Sequence, residues 1–122
     1  DECDVVVPRD RIPAFVRESV QIGKRANVRI CSFGHAGDGN LHIYACKDSL
    51  IDEAWNEVVE KVMDELYEAA KEMGGEVSGE HGIGHAKKGF LAESMGETQM
   101  QLMRGIKAAF DPKGILNPGK VV

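Results

Sequence analysis

The order of apolar segments predicts an α+β domain with a ferredoxin-like antiparallel sheet, helices on one face and a C-terminal helical segment. Short β-branched runs alternate with segments of helical periodicity in the order β-α-β-β-α-β. Two of the runs flank an Asp-Gly step, which is typical of a hairpin. At 122 residues the chain is long enough for one hydrophobic core.

The first half of the chain supplies a strand, a helix and a hairpin. Val5–Val7 is rich in β-branched residues and predicts a short strand. Asp10 is the expected N-cap of a helix that runs to about Ala26. We expect the two strands of the hairpin at Val28–Phe33 and Leu41–Cys46.

The second half is expected to be mostly helical. Its longest helix should begin at a capping box formed by Ser49 and Asp52, and Gly74-Gly75 should end it. The other expected elements are a short strand and two helices: Glu76–Ser78, Ala86 to about Met95, and Thr98–Phe110.

Composition and charge exclude several classes of protein. A net charge of −5 without runs of Lys or Arg argues against nucleic acid and anionic membrane as main partners. No apolar run approaches the roughly 20 residues of a membrane span, and no signal-peptide pattern opens the chain. Three widely spaced cysteines suit a reducing compartment, so we expect a cytoplasmic protein. Because the chain opens on Asp1 without an initiator Met, we also expect it to be part of a longer protein.

All four histidines lie in two glycine-rich stretches, residues 34–42 (the first glycine stretch) and residues 79–85 (the second glycine stretch). Glycines allow the backbone of each stretch to turn sharply. Two imidazoles plus one carboxylate oxygen, with positions left open for substrate, are the pattern of a catalytic divalent-metal site. His35, His42 and Glu80 are the candidate ligands.

Other interpretations of these residues remain open. The histidines could simply satisfy hydrogen bonds, and Asp38 and Asn40 are expected to be turn residues rather than ligands. His85 could add a fourth ligand, although the intervening glycines argue against a helical pair with His81. Neither stretch has the Gly-Lys-Ser/Thr ending of a phosphate loop or the third glycine of a dinucleotide fingerprint.

Three motifs together resemble a known family. They are Gly-His-Ala-Gly-Asp-Gly-Asn-Leu-His at 34–42, Gly-Glu-His-Gly-Ile-Gly at 79–84 and Ile-Leu-Asn-Pro-Gly-Lys at 115–120. In this order they resemble the C-terminal part of FAD-linked D-2-hydroxy acid dehydrogenases of the glycolate oxidase D subunit and D-lactate dehydrogenase type, in the vanillyl-alcohol-oxidase superfamily. The resemblance implies that residues 1–122 form the C-terminal half of the substrate domain. A helical segment at about 97–122 would return to the flavin, and the FAD-binding lobe would lie outside this chain.

The resemblance also implies roles for individual residues. His35, His42 and Glu80 would bind a divalent metal, usually zinc and sometimes iron or manganese. His81 would be the general base, and Asn117 would lie near the flavin ring.

The implied reaction is oxidation of a D-2-hydroxy acid such as glycolate or D-lactate to the 2-oxo acid, with hydride transfer to FAD. Tyr44 stands where some D-2-hydroxyglutarate enzymes have an Asn that touches substrate, which weakens the case for that dicarboxylate. The implied partners are the small 2-hydroxy acid, the FAD-binding lobe of the parent chain, and an electron-transfer flavoprotein, a quinone or an iron–sulfur subunit as electron acceptor. The full enzyme could then lie peripheral to the membrane, and the isolated chain should be inactive. The alternatives are a non-catalytic metal- or ligand-binding module of the same fold, or a structural subunit whose glycine stretches are only turns.

Overall fold

The computed structural model describes all 122 residues. The chain divides into two compact units, Asp1–His81 and Gly82–Val122. The first unit contains the sheet and two long helices, and the second contains one long helix and the C-terminal tail. No helix of the chain is both long and apolar enough to cross a bilayer.

The first unit is built on a three-stranded antiparallel sheet. Its elements are β1 (Glu2–Val6), α1 (Ile12–Ala26), β2 (Arg29–His35), β3 (Asn40–Cys46) and α2 (Asp52–Glu72). The strand order is β1-β3-β2, and Glu76 adds one isolated bridge to Val6. This is the predicted α+β architecture, with the fourth strand of a ferredoxin-like sheet reduced to a single bridge.

The two faces of the sheet differ in chemistry because side chains alternate along each strand. Cys3, Val5 and Ile43 are fully buried on the core face. Helix α2 packs against β1 and buries Leu66 and Tyr67. Burial and the neighbouring Cys3 thiol raise the pKa of Tyr67. The opposite face carries ionisable side chains, and the register sets Asp4 beside His42 there.

Both predicted N-terminal helix caps are wrong. Helix α1 begins one residue after the short 3-10 turn that contains Asp10, and no side chain caps it. Helix α2 also has no side-chain cap. Its expected capping partner, Asp52, instead accepts a hydrogen bond from Lys47, which lowers the pKa of the Asp52 carboxyl. A nearby cation has therefore replaced the helix terminus as the partner of this carboxylate.

The strand at Glu76–Ser78 is also shorter than predicted. Only Glu76 pairs with β1, through its backbone N–H and C=O with Val6. The following N–H groups, from Gly79 to His81, donate to the side chain of Asp4 instead of extending a ladder. β1, by contrast, begins at Glu2, three residues before the predicted strand. The prediction missed these first residues because alternate ones are polar.

The second unit contains α3 (Lys88–Phe110), which is interrupted at Gly96 with φ of 74°. The two predicted helices are thus present as two pieces of one element. Asp111 then organises the tail, because its Oδ1 accepts the Ile115 N–H and its Oδ2 accepts the Leu116 N–H. Lys107 pairs with the same carboxylate, and this interaction lowers the pKa of the Asp111 carboxyl.

Candidate metal centre

The β2–β3 hairpin brings His35 and His42 to one face of the sheet. In its register His35 lies opposite Asn40 and His42 lies opposite Phe33, so the two histidines are diagonal neighbours across the strands. Their ring centroids are 5.9 Å apart with the rings nearly perpendicular. The separation of seven residues is therefore compatible with convergence because the turn lies between them.

The turn of the hairpin is held by its own residues. The Asp38 N–H donates to the His35 carbonyl, and Asp38 Oδ1 accepts the Asn40 N–H at 3.1 Å. Gly39 has a φ of 87°, a conformation that a side chain would strain. Asp38 is thus engaged as a turn residue, as the sequence indicated.

The second glycine stretch is positioned by one buried carboxylate, Asp4, which is 1% exposed. Its Oδ2 accepts hydrogen bonds from three successive backbone N–H groups, those of Gly79, Glu80 and His81, at 3.1, 3.2 and 3.0 Å. The Ser78 hydroxyl donates to the same oxygen at 3.1 Å. Successive N–H groups that point at one anion require a sharply curved backbone. That curvature lets the neighbouring side chains of Glu80 and His81 reach one region.

The three candidate ligands meet at this point. Glu80 Oε1 lies 3.0 Å from His42 Nε2 and 3.3 Å from His35 Nδ1. One ligand atom from each residue lies within 4.8 Å of the others. Zinc–nitrogen and zinc–oxygen bonds of about 2.0–2.2 Å place adjacent ligand atoms at such separations, so the donor set fits a divalent ion.

The environment of the three ligands is asymmetric. The His42 side chain is 7% exposed, whereas those of His35 and Glu80 are 61% and 46% exposed. One ligand is therefore fixed within the sheet, and the other two border solvent. An ion held here would keep an open side, as catalytic metal sites require.

A second carboxylate lies on the other side of His42. Glu2 Oε1 is 3.0 Å from His42 Nδ1 and 3.2 Å from His81 Nδ1. The rings of His42 and His81 stack, with centroids 4.6 Å apart. Glu2, His42 and His81 form a second group with convergent ligand atoms. His42 therefore uses different ring nitrogens toward Glu80 and Glu2.

Two aromatic side chains extend the same face of the sheet. Phe33 stacks on Tyr44 with centroids 5.3 Å apart, and it lies 5.6 Å from the ring of His42. Phe33 is 60% exposed. Desolvation raises the pKa of Tyr44, and the charge and hydrogen bonding of Glu2 raise it further.

Two other residues singled out in the sequence, His85 and Asn117, lie in the second unit. His85 belongs to neither group of convergent ligand atoms. Asn117 has a φ of 47° in the tail that follows Asp111. Its position near a flavin stays a prediction.

Sequence reasoning did not single out Glu2 and Asp4. Both lie on the short β1 strand, where the order Glu-Cys-Asp-Val places acidic side chains on one face and apolar side chains on the other. Acidic residues repeated at intervals of two beside a buried apolar face are a usable signal, because charges near a core usually have partners. It does not identify those partners, which lie far along the chain at His42 and at residues 78–81.

Comparison with known proteins gives a consistent family assignment. Residues 1–121 match the family model described as FAD linked oxidases, C-terminal domain. A D-lactate dehydrogenase of Anaerostipes hadrus is 51% identical over 121 residues, which cover 99% of this chain and 26% of that protein. Glycolate oxidase subunit GlcD of Bacillus subtilis is 42% identical over 118 residues, which cover 97% of this chain and 25% of the relative.

A more distant relative, a D-2-hydroxyglutarate dehydrogenase of Stutzerimonas stutzeri, is 36% identical over an alignment of 123 positions, which covers 97% of this chain and 26% of that protein. The chain thus spans about a quarter of the length of the curated relatives it matches. With a family match over nearly its whole length, the chain belongs to the C-terminal domain family of FAD-linked oxidases.

Proposed function

We propose that this chain is the substrate- and metal-binding part of a flavin-dependent dehydrogenase that oxidises a D-2-hydroxy acid of the glycolate or D-lactate type to the 2-oxo acid. The observation that carries the proposal is the convergence of His35, His42 and Glu80, with His81 beside them, in a member of an FAD-linked oxidase family. The chain covers only a quarter of its relatives, so activity is assigned to the whole protein. In isolation the chain should be inactive.

The four residues divide into two roles in this reaction, three as metal ligands and one as the base. His35 Nδ1, His42 Nε2 and Glu80 Oε1 would hold a divalent ion, with zinc the expected metal. When bound, the ion would supply a Lewis acid for the substrate hydroxyl, and FAD, held mainly by the rest of the protein, would supply the hydride acceptor. His81 would take the hydroxyl proton, and its Nε2 is the nitrogen available because Nδ1 faces Glu2 at 3.2 Å.

The neighbouring aromatic residues favour a small or apolar substrate. Phe33 and Tyr44 flank His42 on the sheet face, and neither offers positive charge to a second carboxylate. A substrate side chain beyond C2 would meet a hydrophobic surface there, as in many ligand sites. This supports glycolate or D-lactate over D-2-hydroxyglutarate.

Three finer proposals rest on the family resemblance and, for the cytoplasmic location, on the three widely spaced cysteines. Asn117 would lie near the flavin ring. Electrons would leave FAD for an electron-transfer flavoprotein, a quinone or an iron–sulfur subunit. The protein would be cytoplasmic, with peripheral contact to a membrane in the full enzyme.

The role of His81 can be tested in the full-length flavoprotein. Replacing it by alanine should lower kcat for D-lactate or glycolate by about 100- to 10,000-fold, because proton transfer loses its positioned base. KM and metal content should change little. Stopped-flow reduction of the flavin measures the step directly, and His85→Ala is the matched histidine control.

Two results would count against the proposal. Flavin reduction at nearly the wild-type rate in His81→Ala would contradict the assignment of the base. Metal binding by the wild-type protein without turnover of any 2-hydroxy acid would favour the alternative, a non-catalytic metal-binding module.

A further inference from the structure

One oxygen of Glu2 contacts two histidines that the proposed reaction uses in different ways. Glu2 Oε1 is 3.0 Å from Nδ1 of His42 and 3.2 Å from Nδ1 of His81. The parallel stacking of the rings, with centroids 4.6 Å apart, places both Nδ1 atoms beside this carboxylate. The Glu2 side chain is largely enclosed.

A carboxylate can only accept hydrogen bonds, whereas a neutral imidazole carries one N–H and one lone pair. Each ring must therefore direct its Nδ1–H at Glu2 to form these contacts. The lone pair of each ring is then on Nε2. In a metal-binding histidine, the hydrogen bond made by one nitrogen decides which nitrogen remains for the metal.

The consequence differs for the two rings because their Nε2 atoms have different surroundings. His42 Nε2 faces Glu80 at 3.0 Å, within the candidate metal centre. His81 Nε2 is not used in the contact with Glu2, and the His81 side chain is half exposed. One lone pair can thus bind an ion, and the other can accept a proton from substrate.

We propose that Glu2 is a positioning residue that fixes His42 and His81 together in the Nδ1–H tautomer, preparing one as a metal ligand and the other as a base. This inference rests on the proposed function and adds a residue to it. Tyr44 lies opposite Glu2 in the strand register, so its side chain neighbours this carboxylate on the same face of the sheet.

A second cation held by Glu2, His42 and His81 is the competing interpretation, since their ligand atoms also converge. If both groups were occupied, His42 would have to bind metal through both ring nitrogens. It would then lose both ring protons, whereas a hydrogen bond to Glu2 leaves a neutral ring. The geometry therefore favours one ion and one hydrogen-bonding carboxylate.

The test uses full-length protein labelled with ¹⁵N in histidine, with His42→Gln and His81→Gln variants to assign the signals. Long-range ¹H–¹⁵N spectra report which ring nitrogen carries the proton. In zinc-loaded wild type, both rings should be protonated at Nδ1. In Glu2→Ala, the proton of the His81 ring should no longer be confined to Nδ1. Zinc affinity, measured by chelator competition, should fall by about 10- to 100-fold.

Two further variants separate positioning from general stability. Glu2→Gln keeps an oxygen acceptor, so it should retain the tautomers and the zinc affinity better than Glu2→Ala. Glu57→Ala, on the exposed face of α2, is the matched control and should change neither quantity.

Unchanged tautomers and unchanged zinc affinity in Glu2→Ala would overturn the inference. So would two zinc ions per wild-type chain of which one is lost in Glu2→Ala, since Glu2 would then be a ligand. Glu2-dependent tautomers in a protein that neither binds zinc nor oxidises 2-hydroxy acids would support the role of Glu2 and contradict the proposed function.

Discussion

The two glycine stretches carry the same kinds of side chain but are held by different kinds of hydrogen bond. The first is a hairpin whose strands pair residue by residue from Arg29–Cys46 to His35–Asn40. The second has no regular secondary structure, and three of its N–H groups converge on the buried Asp4 carboxylate. One half of the candidate metal centre therefore depends on a backbone ladder, and the other half depends on a single side chain.

This difference predicts unequal tolerance to mutation. A ladder distributes its stabilisation over many bonds of about 1 kcal/mol each, so the loss of one is moderate. A buried carboxylate that accepts from several donors places the stabilisation in one side chain, because removing its charge leaves every donor without a strong acceptor. The second glycine stretch should be the more fragile half.

The largest effect is expected from Asp4→Asn. Asp4 Oδ2 accepts four hydrogen bonds, and the uncharged amide oxygen of Asn would accept them much more weakly than the carboxylate does, so unfolding free energy should fall by about 3–5 kcal/mol. Zinc affinity should fall as well, because Glu80 loses its orientation. Hydrogen exchange should show faster opening at residues 79–81 than at β3, and the exposed Asp10→Asn provides the control. Equal loss of protection in both stretches would show that Asp4 supports the whole unit rather than one half of the centre.

A smaller effect is expected from Gly79→Ala, at the point where the two stretches meet. A Cβ at Gly79 would lie 1.8 Å from Asn40 Oδ1 and 2.9 Å from Asp4 Oδ1. Relief of this overlap should cost about 1–3 kcal/mol of unfolding free energy, measured by urea denaturation. Gly37→Ala is the matched control, since no atom lies within 4 Å of the added Cβ. Similar denaturation midpoints for the two variants would contradict close packing between Gly79 and Asn40.

The smallest effect is expected from Asp38→Ala in the hairpin turn. This change removes one hydrogen bond, to the Asn40 N–H, and should cost about 0.5–1.5 kcal/mol. Zinc affinity should not change, because Asp38 is a turn residue and not a ligand. A drop in affinity like that of a ligand variant would assign Asp38 to the metal centre.

The same contrast explains how much could be predicted from sequence. The hairpin could be predicted because alternation and an Asp-Gly step are local signals. These signals indicated both strands and allowed His35 and His42 to converge, as they do in the structure. The α+β architecture followed from the order of such elements. The roles of the residues as ligands, base and flavin neighbour remain predictions.

Other features depend on distant partners and left no local signal. Asp4 lies 77 residues from His81, and Glu2 lies 40 residues from His42. The helix caps failed for a related reason, because Lys47 took the carboxylate that was expected to cap α2. Where a side chain has several possible partners, only the three-dimensional structure shows which one it contacts.

If the candidate metal centre is correctly assigned, the two glycine stretches together bind one divalent ion. The most direct test is the elemental metal content of the full-length protein and its Glu80→Ala variant after dialysis without chelator. We expect about one zinc per wild-type chain and almost none in the variant, because loss of Glu80 leaves only His35 and His42 as ligands. Absence of metal from the wild type, or equal metal content in both proteins, would contradict it.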